Sequence, residues 1–560
     1  MKNNLRNGGN HLKIYKPLVL VVLDGWGINA ELEGNAIANS KIPTFNYLRG
    51  NYPCIALQAS GISVGLAWGE PGNSEVGHMT IGSGIILYQN LPRINLAIQN
   101  GSFFSNPVFL EAINRTIRKG SALHLLGLVS NGGVHSHIDH LFALIELAVS
   151  RGVKKMFVHA ITDGRDTSPK AGLGFIKSLQ DKLQSAGVGK IASIAGRNWT
   201  MDRNQNWDRI KKGYDAIFGT YENKAYDPLE VISSSYQRNV GDEFIEPTII
   251  LDREGRPLPR VANHDSIIFY NFRIDRPRQL TRAFVLPNFE THTELPSFDP
   301  YAVKYFHKHV VEIDSRQKPF KRQAVFPNLF FVTMTEYERN LPCTVAFPPE
   351  PVKMPLGRVF SDLGWRQLRL AETEKERFVT YYFNGMREDH FPGEDRLIVP
   401  SPKVATYDFQ PEMSAQELTN KLLDRLAIGV YSFILVNFAN PDMVGHTGNI
   451  PAAVRACEVV DDCVGKIVSH VLAVGGTCII TADHGNVEEM LGSDGQMDTE
   501  HSTFPVPLII IDHMFDGYPS QLPLGKLADI GPTILALRQI PIPAEMTGTN
   551  LLADFLVSRR

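Results

Sequence analysis

One pattern constrains the fold of this chain more than any other. A short apolar run, rich in β-branched residues, ends abruptly in a turn that carries charge. Leu18-Val19-Leu20-Val21-Val22-Leu23 runs into Asp24-Gly25-Trp26-Gly27. Both faces of such a run are apolar, which predicts a central strand of a parallel sheet covered by helices on both sides. Asp24 then stands just past the strand's C-terminal end, the edge at which open α/β sheets hold ligands.

The pattern recurs along the chain. Leu123 to Val129 leads into Ser130-Asn131-Gly132-Gly133-Val134-His135-Ser136-His137. Met156 to Ile161 leads into Thr162-Asp163-Gly164-Arg165-Asp166. Ile191 to Ala195 leads into Gly196-Arg197, followed by Met201-Asp202-Arg203. Ile267 to Phe272 leads to Arg273 and Arg276, Phe433 to Phe438 to Asp442 and His446, and Cys478 to Ala482 to Asp483-His484-Gly485-Asn486. Helical periodicity lies between the runs, as from Ala452 to Val474. The fold class is α/β.

At 560 residues the chain is too long for one ordinary core. The chemistry of the strand ends divides by region. Between roughly residues 90 and 350 they carry arginines, one histidine and Asp166; outside that region they carry Asp, His and a serine turn. This predicts a discontinuous domain, residues 1–90 and 353–560, with a second α/β domain, 91–352, inserted into it. Pro-containing stretches at Tyr88–Asn95 and Pro348–Pro355 fit as hinges. The stretches 221–264 and 287–327 read as irregular surface elaborations of the inserted domain.

Composition excludes several classes. A net charge of −3 leaves no global basic footprint for nucleic acid. No apolar run approaches the ~18 residues that a membrane span requires. Met1 to Lys16 is polar and basic with no apolar signal core, which reads as a disordered lead-in. Five cysteines without CxxC spacing argue against a disulfide framework or structural zinc site and for a reducing, cytoplasmic setting.

The serine turn is Gly72-Asn73-Ser74-Glu75-Val76-Gly77-His78. It places a hydroxyl on a tight turn leading into a helix. A neutral serine is a weak nucleophile and needs a base or a metal to activate it. Candidate ligands are plentiful in the split domain. Asp442 and His446, four apart, share a face on a helical turn; Asp483 and His484 sit at a strand end, His501 follows, and Asp24 and Ser74 come from the N-terminal part. Mixed carboxylate and imidazole donors suit Mn, Zn, Co or Mg. Seven candidates exceed the needs of one ion, so two neighbouring ions are expected, and a metal would activate Ser74 without a histidine base.

Taken in order, LVLVVLDGWG, GNSEVGHMTIGSG, NGGVHSH, TDGRDTSP, Gly196-Arg197 with Met201-Asp202-Arg203, NFRIDR, AETEK, NPDMVGHTG and TADHGN make the chain resemble the cofactor-independent phosphoglycerate mutases, within the alkaline phosphatase superfamily. The resemblance covers about Lys16 to Leu552. It implies a metal-binding phosphatase domain with an inserted phosphotransferase domain, and interconversion of 3-phosphoglycerate and 2-phosphoglycerate in glycolysis and gluconeogenesis without 2,3-bisphosphoglycerate.

By the same resemblance, Ser74 is the nucleophile that becomes phosphoserine. Asp442, His446 and His501 hold one divalent ion, and Asp24, Ser74, Asp483 and His484 the other. Manganese is the expected ion, with cobalt or magnesium as alternatives. His135, Arg165, Asp166, Arg197, Arg203, Arg273 and Arg276 match substrate-binding positions, and Lys375 matches a lysine that approaches the phosphoryl group. Phe438 and Ile85 stand where family members usually have Tyr and often have Arg; neither change removes a ligand or a substrate-binding charge.

A phosphoglycerate presents a carboxylate, a hydroxyl and a phosphate, which planar guanidinium groups clamp well. Asp166 is the expected general acid and base. Domain closure on the two hinges would exclude water and keep glycerate bound. The expected partners are small-molecule phosphoglycerates, with no nucleic acid and no membrane, and the expected state is a monomer. Two competitors remain at this level. One is a phosphatase, phosphodiesterase or phosphopentomutase on the same metal core; the other is an inactive metal-binding scaffold.

Overall fold

Every apolar run picked out above forms a strand, and the strands build two separate sheets. The structure is a computed structural model that describes residues 16–291, 318–492 and 494–553. Residues 1–15 of the lead-in and 292–317 of the second elaboration lie outside the described residues. The chain divides into two compact units: the first ends at Gln89 and resumes at Glu350, and the second is Asn90–Pro349.

In the first unit eight strands lie in the order Glu394–Val399, Gln367–Glu372, Phe433–Phe438, Leu18–Leu23, Thr477–Thr481, Val506–Ile511, Cys54–Gln58 and Gly525–Lys526. The first five are mutually parallel, and Val506–Ile511 runs antiparallel to both its neighbours. Leu18–Leu23 is central and buried along its whole length. Each of its fully buried side chains contributes about 1.5–3 kcal/mol of transfer free energy. The helix Ile450–Ala473 shows why an amphipathic sequence covers such a sheet. Ala453, Ala456, Cys457, Val460, Val464, Ile467 and Val471 form one buried stripe, and the Asn449 side chain caps its start by accepting from the Ala452 amide.

In the second unit the order is Thr344–Phe347, Phe330–Thr335, Ser266–Phe269, Leu123–Leu128, Met156–Thr162, Lys190–Gly196, Thr248–Ile250 and Lys224–Ala225. The first six are parallel, and Thr248–Ile250 is antiparallel to its neighbour Lys190–Gly196. The stretch 221–264 is therefore not irregular: it supplies the last two strands of the sheet and the helix Pro228–Gln237. Strands of two and three residues are too short to show a period, and Pro228 reads as a breaker although it occupies the first turn, where a missing amide costs nothing. The first expected hinge is likewise shorter than its proline suggests, because a helix already begins at Asn90.

No helix among the described residues is long and apolar enough to cross a membrane. All five cysteines are free.

Candidate functional site

Four neighbouring parallel strands of the first unit end on the same edge, and the loops that follow them carry the charged residues. Asp24 follows Leu18–Leu23, Lys375 follows Gln367–Glu372, Asp442 and His446 follow Phe433–Phe438, and Asp483 and His484 follow Thr477–Thr481. His501 arrives on the loop before Val506–Ile511. Ser74 opens the helix Ser74–Ser83, whose preceding residue Asn73 accepts from the Val76 amide at 3.0 Å. The glycines around Ser74 permit close approach. A Cβ on Gly72 would stand 2.2 Å from the Ala59 carbonyl oxygen, and one on Gly77 would stand 2.5 Å from that of Asp483.

These side chains converge. Ser74 Oγ lies 3.2 Å from Asp24 Oδ1, 3.0 Å from His484 Nε2 and 3.0 Å from Lys375 Nζ. The Lys375 ammonium donates to Asp24 Oδ1 and Asp442 Oδ2, both at 2.6 Å. His446 Nε2 and His501 Nε2 lie 3.2 and 3.3 Å from Asp442 Oδ1 and 3.1 Å from each other. Asp442, His484 and His501 form one group of converging ligand atoms, and Asp24, Asp483 and His484 form another. His484 belongs to both.

The donor set fits divalent cations. His446 Nδ1 donates to the Thr499 carbonyl at 2.7 Å, His501 Nδ1 to that of Gly72 at 2.8 Å, and His484 Nδ1 to that of Gly485 at 3.2 Å. A carbonyl only accepts, so each contact places a proton on Nδ1 and leaves Nε2 facing the centre. This is how metal-binding histidines are oriented. Three carboxylates face one ammonium, so the cluster is short of positive charge. Burial would lower the His484 pKa, but Asp483, Asp24 and Asp442 raise it to about 10. Burial likewise opposes the charged forms of Asp442 and Lys375, yet Lys375 holds Asp442 well below the carboxylate range while Asp24 and Asp442 raise Lys375.

The residue pattern left three neighbours unrecognised. His78 Nδ1 lies 3.1 Å from Asp483 Oδ2, and its Nε2 meets the Asn437 amide, which donates to Asp24 Oδ2 at 2.7 Å. The Asn486 amide donates to Asp442 Oδ1 at 3.0 Å. Asn437 and Asn486 sit inside motifs already singled out, and a buried amide at a strand end is the signal that would have found them.

The second unit repeats the plan with opposite charge. His135, the Asp163–Asp166 turn, Arg197 and the Arg273–Arg276 turn follow four neighbouring parallel strands. Arg165, Arg197, Asn198, Arg203, Glu243 and Arg276 line a pocket there. Arg197 Nη1 donates to Asp163 Oδ1 and Asp166 Oδ2, both at 2.6 Å. Arg203 and Arg273 meet Asp275 at 3.3 and 3.2 Å, and Arg165 faces Glu243 at 3.5 Å. Arg276 donates to the Met201 carbonyl at 3.1 Å; burial and the surrounding arginines lower its pKa to about 10, so it stays charged at neutral pH.

His135 lies 4.0 Å from Asp166 Oδ2. Burial, reinforced by Arg197, pushes its pKa down to about 3, so its ring is neutral. Asp163 and Asp275 were passed over in the sequence because they stand beside more conspicuous arginines. In the structure they are the anions that orient them.

Comparisons with known proteins give the family. The family model for the N-terminus of 2,3-bisphosphoglycerate (BPG)-independent phosphoglycerate mutases matches residues 94–339. The 2,3-bisphosphoglycerate-independent phosphoglycerate mutase of Moorella thermoacetica is 45% identical over 541 residues, covering 97% of this chain and 99% of the relative. That of Clostridioides difficile is 45% identical over 540 residues, covering 96% and 99%. Among solved structures, a Leishmania mexicana phosphoglycerate mutase crystallised at low cobalt concentration matches with a TM-score of 0.52 and 28% identity, over 96% of this chain and 97% of that one. The chain belongs to the family of 2,3-bisphosphoglycerate-independent phosphoglycerate mutases.

Proposed function

We propose that the chain interconverts 3-phosphoglycerate and 2-phosphoglycerate through a phosphoserine on Ser74, with two divalent ions at the first unit's cluster. The observation that carries this reading is the placement of Ser74 Oγ among Asp24, His484 and Lys375, beside two ligand groups that share His484. Asp442, His446 and His501 would hold one ion and Asp24, Ser74, Asp483 and His484 the other. Divalent ions there would supply charge neutralisation for a transferring phosphoryl group and would ease loss of the serine proton. Manganese is the proposed ion, with cobalt or magnesium as alternatives. Free cysteines throughout support a reducing, cytoplasmic setting.

The protein's own groups do the rest. Ser74 Oγ, its proton released to solvent, attacks phosphorus, an Oγ–P bond forms, and the bond from phosphorus to the glycerate oxygen breaks. Lys375 neutralises charge on the phosphoryl oxygens. Asp166, oriented by Arg197 and carrying a proton when substrate binds, gives that proton to the departing oxygen. It takes one back from the other glycerate hydroxyl, which attacks the phosphoserine and frees Ser74. Arg165, Arg197, Arg203 and His135 hold glycerate during the exchange, and Arg273 and Arg276 hold phosphate or close the cleft.

The test is incubation with 3-phosphoglycerate and Mn2+, with product coupled to enolase. Formation of 2-phosphoglycerate without 2,3-bisphosphoglycerate is expected. Release of free phosphate with no 2-phosphoglycerate would identify a phosphatase instead.

A further inference from the structure

Glu488 follows the Asp483-His484-Gly485-Asn486 turn and has no part in the chemistry above. Its side chain is completely buried. A carboxylate in such a place is costly unless donors surround it. Glu488 has three: Oε2 accepts from the Gly27 amide and the Asn486 amide, both at 2.9 Å, and Oε1 accepts from the Ser502 hydroxyl. Each donor comes from a different part of the cluster. Gly27 is three residues after Asp24, Asn486 is two after His484, and Ser502 is next to His501. Asn486 also donates from its side chain to Asp442.

Two glycines make room for this carboxylate. A Cβ on Gly27 would stand 2.2 Å from the Glu488 carboxyl carbon, and one on Gly485 would stand 2.2 Å from its Oε1. Neither position requires a left-handed backbone. Their glycines are explained by the space Glu488 occupies.

We infer that Glu488 is a positioning residue that ties the Asp24, Asp483-His484 and His501 loops into one register and thereby sets the affinity of the cluster for divalent cations. The inference rests on the metal-site reading above and assigns that site a determinant outside its ligands. Outer partners of metal ligands typically change affinity ten- to a hundred-fold when altered. Glu488→Gln keeps the shape but turns one acceptor into a donor facing donors. Ser502→Ala removes the hydroxyl's hydrogen bond to Glu488, along with the one it accepts from the Phe504 amide at 3.2 Å, and leaves the carboxylate in place.

The experiment titrates the chelator-stripped full chain with Mn2+, reading the dissociation constant by calorimetry and the Mn2+-induced rise in melting temperature. His501→Ala, which removes a proposed ligand, runs alongside. Glu488→Gln should bind Mn2+ about ten- to a hundred-fold more weakly, with a smaller Mn2+-induced rise, and Ser502→Ala should bind several-fold more weakly. If His501→Ala loses affinity while Glu488→Gln and Ser502→Ala both stay within about twofold of wild type, the positioning role is overturned and the metal site stands. A Glu488→Gln chain that melts lower with an unchanged Mn2+-induced rise also overturns it, as that is a purely structural effect. If His501→Ala binds like wild type, the metal-site reading itself fails, and the inference with it.

Discussion

Each unit sets its charged side chains at the C-terminal edge of its own sheet, and the two treat them in opposite ways. In the first, carboxylates, histidines and one lysine are withdrawn from water: Lys375 is 3% exposed and Asp24 not at all. In the second, guanidinium groups line a pocket open enough that Arg165 keeps 56% exposure. Coulomb interactions strengthen as the local dielectric falls. The first cluster is therefore rigid and strongly coupled, suited to fixing ions and one nucleophilic oxygen. The second is screened and adjustable, suited to taking up an anion that must turn over and leave. Among the guanidinium groups at that edge, Arg197, locked between Asp163 and Asp166, belongs in character to the buried kind.

That contrast breaks most visibly at Lys375. Lys375→Met leaves Asp24 and Asp442 buried without their shared cation, which costs about 3–5 kcal/mol. Hydrogen exchange across Val19–Val22 in the metal-free chain should report a fall of that size, and Mn2+ should restore most of it. In the second unit, Arg197→Gln should lower kcat/KM by roughly 30- to 150-fold, equivalent to about 2–3 kcal/mol of lost charged hydrogen bonding to Asp163 and Asp166. Steady-state kinetics with 3-phosphoglycerate checks it. Equal losses for Arg197→Gln and Arg165→Ala would erase the distinction.

Acid should act on the second unit through its buried neutral histidines. Burial pushes the pKa of His135 and of His140 down to about 3, below the ordinary 6.5. Between those values the unfolded chain binds more protons than the folded one, so stability rises with pH in that window. It is fully present above about 6.5 and is lost as pH falls towards 3, by up to about 1.4 kcal/mol per pH unit for each ring. His140→Gln should flatten the slope, read by hydrogen exchange at Leu141–Leu147. The smallest effect belongs to Arg165→Ala. It should leave stability within about 0.5 kcal/mol of wild type while raising KM for 3-phosphoglycerate about tenfold.

The turns that carry Asp24, Asp442 and Asp483 were legible in the sequence because each follows a mostly apolar strand, so position relative to the sheet edge could be read locally. The residues that hold those turns together were not. The Glu488 carboxylate accepts from Gly27 across 461 residues, and Asn437 meets His78 across 359. No local period encodes such pairs. Strands with mixed patterns were also hidden. Gln367–Glu372 buries Arg369, stacked against the rings of Phe383 and Phe433, where a charged residue in the pattern suggests a solvent face. The short strands within 221–264 escaped because two or three residues carry no alternation.

The central claim is that Ser74 carries the phosphoryl group between the two glycerate oxygens. Rapid quenching of the Mn2+-loaded protein during turnover of 3-phosphoglycerate, followed by mass spectrometry of the peptide containing Ser74, tests it directly. A phosphoryl group on Ser74 that builds up within the first turnover and disappears as substrate is consumed is the predicted result, with Ser74→Ala inactive. A wild-type protein that forms 2-phosphoglycerate while Ser74 stays unmodified at every time point, together with a Ser74→Ala variant that retains turnover, would contradict it.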